Sequence, residues 1–239
     1  MRTRKAALNM IFGLIYQAVA IFCGLITPRM ILATFGSTYN GVISSATQFL
    51  NMINLLTLGI TGSTRVALYR TLADEDNLET SKIMKATKQY MKKVGCCVFL
   101  YAVGLCAIYP CVSQNSLSYI ENVTLIAIVS IGTFAQYFFG ISNMTLLNAD
   151  QSSYIYNIID IFKVVLNTVC VVILIKIGAS IYIVKFGSSI VFLISQVLLN
   201  WYVKQKYHLI NNCEPNNTAL NNRGAVALHQ ISNIVHDNT

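Results

Sequence analysis

The chain has 239 residues, of which 55% are hydrophobic and only 11% are charged, and its net charge is +8. A soluble globular chain carries about 25% charged residues, so a chain this apolar cannot cover a water-exposed surface with charge. Disorder, coiled coil and collagen are excluded because each requires a more polar or more repetitive composition. The composition, with a mean hydropathy of +0.58, predicts an all-α integral membrane protein.

The N-terminus is basic and leads directly into an apolar run. Arg2, Arg4 and Lys5 precede a stretch that stays apolar from Ala6 to Met30. A secretory signal peptide has an apolar region of about 7–15 residues, which is much shorter than this run. We therefore predict an uncleaved first transmembrane helix.

Six stretches are long and apolar enough to cross a bilayer, which takes about 20 residues. They cover residues 8–30, 42–63, 94–112, 123–147, 154–175 and 181–203. This pattern predicts a polytopic lobe of six transmembrane helices over residues 1–203, followed by a polar linker at 204–223. Residues 224–239 become apolar again but carry two histidines and an aspartate. We interpret them as the truncated start of a seventh transmembrane helix.

The basic residues are distributed asymmetrically between the connections. If the N-terminus is cytoplasmic, then thirteen of the 17 lysines and arginines are also cytoplasmic: three in the tail, seven in the segment 65–93 and three after the sixth span. Short cytoplasmic loops retain lysine and arginine, so this excess predicts a multi-pass protein with its N-terminus inside. The same topology explains the positive net charge, and we expect no nucleic-acid partner.

Charged residues inside the spans are the strongest functional signals, because a charge at mid-bilayer costs about 2.5–3.5 kcal/mol. Arg29 follows Pro28 near the end of span one and is either an interfacial anchor or an anion ligand in a cavity. Asp160 and Lys163 are three residues apart, share a helix face and can neutralise each other. Lys185 lies near the start of span six and can extend to the interface. Three bases against one acid favour an anionic ligand, so Arg29, Lys163 and Lys185 are candidate substrate-binding residues.

Uncharged polar residues also occur within the spans. Asn51 and Asn54 in span two are candidates, with Asp160, for a structural or coupling role, because polar side chains either join helices or line a hydrated cavity. No phosphate-binding loop, dinucleotide fingerprint or zinc-protease motif occurs, and no Cys/His spacing suits zinc. We therefore expect no enzymatic activity, no metal site and no cofactor.

Several short segments together resemble a known transporter family. The first helix ends Thr27-Pro-Arg-Met-Ile-Leu, and Phe35-Gly-Ser-Thr-Tyr-Asn-Gly-Val-Ile-Ser follows it. Further along the chain come Leu56-Thr-Leu-Gly-Ile-Thr-Gly-Ser, then Ala67-Leu-Tyr-Arg and Ala73-Asp-Glu-Asp, and finally His229-Gln-Ile-Ser-Asn-Ile-Val. These segments resemble the N-terminal half of bacterial polysaccharide flippases, the Wzx-type members of the multidrug/oligosaccharidyl-lipid/polysaccharide exporter superfamily.

The resemblance implies a function and a set of partners. It implies a lobe that pairs with a second lobe around a central cavity and moves undecaprenyl-pyrophosphate-linked oligosaccharide across the bacterial cytoplasmic membrane by alternating access. Such transport serves O-antigen, capsule or exopolysaccharide synthesis, with membrane lipid and the polysaccharide polymerase machinery as further partners. Arg29 occupies a position similar to the first-helix arginine that related flippases place in their cavity.

Two alternatives stay open on the sequence alone. One is a cation-coupled multidrug exporter of the same superfamily, which would need carboxylates in its cavity. The other is a non-transporting membrane fragment, because alternating access requires two lobes. On this interpretation we expect the 239-residue chain alone not to transport.

Overall fold

The computed structural model of the chain describes residues 2–113, 116–210 and 213–216. Within these residues the fold is helical and contains no strand. Five helices among them are long and apolar enough to cross a membrane: Thr3–Phe35, Asn77–Val112, Tyr119–Ala149, Ser153–Lys176 and Ile181–Lys206. The predicted all-α, polytopic membrane fold is therefore confirmed. The predicted seventh helix at 224–239 lies outside the described residues, as does most of the linker beyond 210.

The elements follow one another with short turns. In chain order they are α1 (Arg2–Phe35), α2 (Ser37–Met52), a 3-10 turn (Ile53–Thr57), α3 (Leu58–Ala73), α4 (Asn77–Val112), α5 (Tyr119–Ala135), a π turn (Gln136–Gly140), α6 (Ile141–Ala149), α7 (Ser153–Lys176) and α8 (Ile181–Lys206).

The second predicted span is not one helix. The stretch 42–63 is divided between α2 and α3, which have 16 residues each, and the 3-10 turn lies between them. Hydroxyl groups explain the break: Thr57 Oγ1 donates to the Asn54 carbonyl at 2.7 Å, and Thr61 Oγ1 donates to the Thr57 carbonyl at 3.0 Å. Side-chain donors of this kind compete for helix carbonyls and bend the helix axis.

The segment 65–93, predicted as a cytoplasmic connection, is almost entirely helical. Only residues 74–76 lie outside helices, and Asp76 caps α4 by accepting hydrogen bonds from the backbone N–H groups of Leu78 and Glu79 at 3.0 and 2.9 Å. With 36 residues α4 is about 54 Å long, whereas the hydrocarbon core of a bilayer is about 30 Å thick. The basic first half of α4 therefore extends beyond the apolar part of the bundle.

The turns between the helices alternate between two opposite ends of the bundle. At one end the start of α1, the α3–α4 turn and the α6–α7 turn line a shared cleft, and Lys206 at the end of α8 joins them through Asp150. We call this the basic end. At the other end Phe35, Tyr39, Leu117 and Ala179 belong to one apolar cluster, which joins the remaining three turns.

A polar clasp centred on Asp150 holds the basic end together. Its carboxylate accepts from Tyr207 Oη at 2.6 Å, Ser152 Oγ at 2.7 Å and Lys5 Nζ at 2.9 Å, and it pairs with Lys206 Nζ at 3.4 Å. Burial alone would raise the pKa of Asp150, but the hydrogen bonds from Tyr207, Lys5 and Ser152 outweigh burial and lower it. Burial and the hydrogen bond to this carboxylate raise the pKa of Tyr207. The clasp thus joins α1, the α6–α7 turn and α8.

Candidate functional site

Asp160 and Lys163 form a buried ion pair within α7. Lys163 Nζ donates to Asp160 Oδ1 at 2.6 Å, and the side chains of the two residues are only 9% and 3% exposed. The Lys163 ammonium lies 5.1 Å from the centre of the Phe192 ring. The predicted pairing is present in the structure. Lys163 is already fully engaged, so its ammonium is not available to a ligand in this arrangement.

Arg29 lies on the exposed surface of α1, directly after the only proline in that helix. It makes no hydrogen bond or ion pair with any described residue. Most of the large apolar side chains of α1 are exposed as well, including Leu25 and Ile26, one turn before Arg29. An exposed apolar helix that carries an unpaired arginine is suited to face either lipid headgroups or a second membrane lobe.

Lys185 lies in the second turn of α8 and is half-buried. Within the described part of the chain it has no ion-pair or hydrogen-bond partner. Two residues later, Gly187 packs against Leu174 and Cys170 of α7. Arg29, Lys163 and Lys185 belong to three successive helices of the bundle, since α1 packs on α7 and α7 packs on α8. The structure joins only Lys163 to Asp160 and shows no contact among the three cations.

The two asparagines of the second span differ in environment. Asn54, in the 3-10 turn, is partly buried, and its side-chain Oδ1 accepts a hydrogen bond from Tyr137 Oη at 2.9 Å. This bond connects the break in the second span to the π turn after α5. Asn51 is exposed at the end of α2 and has no partner among the described residues. Asn54 therefore has a structural contact, and the structure assigns none to Asn51.

A basic groove at the basic end was not recognised from the sequence. It lies between α4 and α8, and its volume is about 360 Å³. Three lysines of α4 line it at spacings of three and four residues, together with one lysine of α8: Lys85, Lys88, Lys92 and Lys204. We call this the lysine groove. The spacing of the α4 lysines is visible in the sequence and places them on one helix face, but on the sequence alone it indicates only topology.

The π turn forms one wall of the lysine groove. Phe138 and Phe139 of this turn line the groove, and both rings are about 40% exposed. A π turn widens the helix by one residue and often occurs at functional sites. Gly140 ends the turn, where a Cβ atom would collide with the side-chain amide of Gln196 on α8. A glycine at this position therefore allows α8 to approach the π turn closely.

A polar contact continues this interface between the π turn and α8. Asn143, three residues after Gly140, donates from Nδ2 to Asn200 Oδ1 at 3.0 Å. Asn200 itself lines the lysine groove. Among the described residues there is no group of three or more His, Cys, Asp or Glu side chains suited to a metal ion. The groove therefore offers cations, amides and aromatic rings to a ligand.

Comparison with known proteins supports the fold but identifies neither a family nor a function. No protein-family model matches the chain, and no curated protein matches its sequence. A solved structure titled "protein A" superposes on 95% of this chain with a TM-score of 0.65 and 16% sequence identity. This chain spans 55% of the length of that protein. The likeness shows a shared fold over about half of a longer chain.

Proposed function

We propose that the chain is the N-terminal transmembrane lobe of a lipid-linked oligosaccharide flippase. In this proposal it moves undecaprenyl-pyrophosphate-linked repeat units across the bacterial cytoplasmic membrane for O-antigen, capsule or exopolysaccharide synthesis. The sequence resemblance described above and the all-α, polytopic membrane fold support it. The match to half of a longer chain is what one lobe of a two-lobed transporter would give.

The balance of charge within the spans carries the proposal. Asp160 is the one acid that the sequence places inside a predicted span, and Lys163 neutralises it at 2.6 Å. Arg29 and Lys185 remain as cations without a described partner. Two unpaired cations favour an anionic substrate such as a pyrophosphate, and the planar guanidinium of an arginine binds phosphate oxygens through two parallel hydrogen bonds.

The same observation weighs against a cation-coupled multidrug exporter. Such a protein needs a carboxylate that is free to bind a sodium ion, a proton or a cationic drug. The Asp160 carboxylate is buried and already accepts a hydrogen bond from Lys163. A cationic substrate would have to displace the ammonium of Lys163 before it could bind.

The test is complementation of a flippase-deficient bacterium by this lobe joined to a second lobe, with surface polysaccharide as the readout. Arg29→Ala should abolish export, while Arg29→Lys should retain part of it because the charge persists without the two-pronged geometry. Lys176→Ala, which removes an exposed lysine at the end of α7, is the matched control and should export normally. Membrane abundance is measured by immunoblot for every variant. Full export by Arg29→Ala would make Arg29 an interfacial anchor and remove the main support for an anionic substrate.

The chain alone is tested in the same strain. We expect it to insert without restoring polysaccharide, because alternating access needs a second lobe. Restored export by the isolated chain would indicate instead that two copies supply the two lobes.

A further inference from the structure

We propose that the lysine groove binds the anionic phosphate head group of a membrane lipid, in preference to a zwitterionic head group. The proposal concerns binding alone, and it stands whether or not the chain is a flippase lobe. The groove is separate from Arg29 and Lys185, which lie outside it.

The charge of the groove is the first argument. Four lysines line it, and none of its lining residues is an aspartate or a glutamate. Lys88, Lys92 and Lys204 form no ion pair with any described residue, and Lys85 donates to the Cys213 carbonyl at 2.8 Å. Like charges held within one cavity repel each other, and an anion with several charged oxygens relieves that repulsion.

The position of the groove relative to the bilayer is the second argument, and it favours a lipid over a soluble anion. The apolar stretch of α4 begins at Val94, and that of α8 ends at Val203. Lys92 and Lys204 therefore lie where the hydrocarbon region of a bilayer gives way to the head groups. A phosphate of a lipid lies at this level, and basic residues near a membrane surface attract anionic lipid.

The shape of the groove is the third argument. Phe138 and Phe139 border the lysines and expose a large part of each ring, so the groove has an apolar side as well as a cationic one. Phe99, one turn and a half beyond Lys93 on α4, is also exposed and continues the apolar surface toward the membrane interior. A ligand with a phosphate head and a hydrocarbon tail matches this arrangement, whereas a free phosphate leaves the aromatic side uncovered.

The segment after α8 closes the groove at its outer side. Leu209 and Ile210 line the groove, and the Ile210 N–H donates to Ser81 Oγ at 3.0 Å. Cys213, buried against α4, accepts the hydrogen bond from Lys85. Leu209 and Ile210 therefore border the groove at its Ser81 end, away from the apolar half of α4, and we expect a lipid to enter from the opposite, bilayer side.

The experiment uses the full chain purified in micelles of an uncharged detergent. Its single tryptophan, Trp201, lies three residues before Lys204 on α8 and reports on nearby lipid. Phosphatidic acid with brominated acyl chains is the probe, and brominated phosphatidylcholine is the neutral reference, since bromine quenches tryptophan fluorescence. We expect half-maximal quenching at about a tenfold lower mole fraction for phosphatidic acid, which corresponds to about 1.4 kcal/mol.

The variants locate the site. The triple variant K88Q/K92Q/K204Q should lose the preference for phosphatidic acid, and K88R/K92R/K204R should keep it. The matched control R4Q/K93Q/K176Q removes three exposed charges outside the groove, one of them next to Lys92, and should bind like the original chain. If the glutamine triple variant is misfolded by circular dichroism, K92Q and K204Q alone should each reduce the preference about two- to threefold, because both side chains are exposed.

Three results would overturn the proposal. One is equal quenching by the two lipids in the original chain. The second is a preference for phosphatidic acid that survives in K88Q/K92Q/K204Q, or in both single variants. The third is full displacement of the lipid by an equal concentration of inorganic pyrophosphate, which would make the groove a site for soluble anions rather than for a lipid.

Discussion

The buried pair of Asp160 and Lys163 gives the sharpest prediction about stability. Their N···O distance is 2.6 Å, and both side chains are at least nine-tenths buried in the middle of α7. Asp160→Leu leaves a buried ammonium without its partner, and Lys163→Met leaves a buried carboxylate. Breaking a buried ion pair by removing one partner costs about 3–5 kcal/mol. We expect Asp160→Leu to lie at the lower end of this range, because Lys163 retains its contact with the Phe192 ring.

The double variant Asp160→Leu/Lys163→Met should be much more stable than either single variant. It removes both charges and replaces them with apolar side chains of similar volume, and such replacements of buried pairs are often neutral or stabilising. We expect it to lie within about 1–2 kcal/mol of the original chain. The double-mutant cycle should therefore show a coupling energy of several kcal/mol, well above the error of about 0.5 kcal/mol for additive sites.

The assay is reversible unfolding in mixed micelles of a denaturing and a mild detergent, followed by helical circular dichroism. Lys176→Met is the matched control: it removes an exposed lysine from the last turn of the same helix and should change stability by less than about 0.5 kcal/mol. Additive single variants, or single variants that cost no more than the control, would refute the assignment of a coupled, buried pair.

Two further predictions concern the ends of the bundle. Asp150→Asn should weaken the clasp by about 1–3 kcal/mol. The pKa of Asp150 is lowered in the folded chain, so its stabilisation is complete above its ordinary value of 3.8 and is lost as the pH falls below that value. Detergent unfolding at about pH 7 and about pH 3 should therefore differ more for the original chain than for the variant. In a cysteine-free background, an impermeant thiol reagent applied to intact cells should label Ser116→Cys but not Asn77→Cys, and the reverse pattern would place the basic end outside.

The passage of the chain through the membrane could be predicted from the sequence because apolar length is a local property. Five of the six predicted stretches fall within single long helices. The break in the second stretch could not be predicted, since it depends on whether the hydroxyls of Thr57 and Thr61 bond to nearby carbonyls or to neighbouring helices. The helical nature of segment 65–93 does not follow from its composition, because its many charges indicate a loop, although charged side chains are also compatible with a helix that projects into water.

The candidate site, like the fold, could be predicted from the sequence only in part. The pairing of Asp160 with Lys163 was predictable, because residues three apart share a face of any helix. The lysine groove was not, because Lys204 is more than a hundred residues from Lys92 and only the packing of the helices brings α4 and α8 together. The environment of Asn54 likewise depends on Tyr137, which the sequence places two spans away.

The polar composition of the residues after α8 indicates a linker. The described part of this segment also makes contacts with the helices. The Asn216 N–H donates to the Lys82 carbonyl at 3.3 Å, and its side chain donates to Glu79 Oε1, so the segment is fixed to the projecting half of α4 at several points. Tyr207, the first residue of this segment, and Lys206, the last residue of α8, belong to the Asp150 clasp. One short stretch therefore joins the clasp to the wall of the lysine groove. Because the clasp also binds Lys5, a movement of α1 relative to α8 would strain the same stretch that closes the groove.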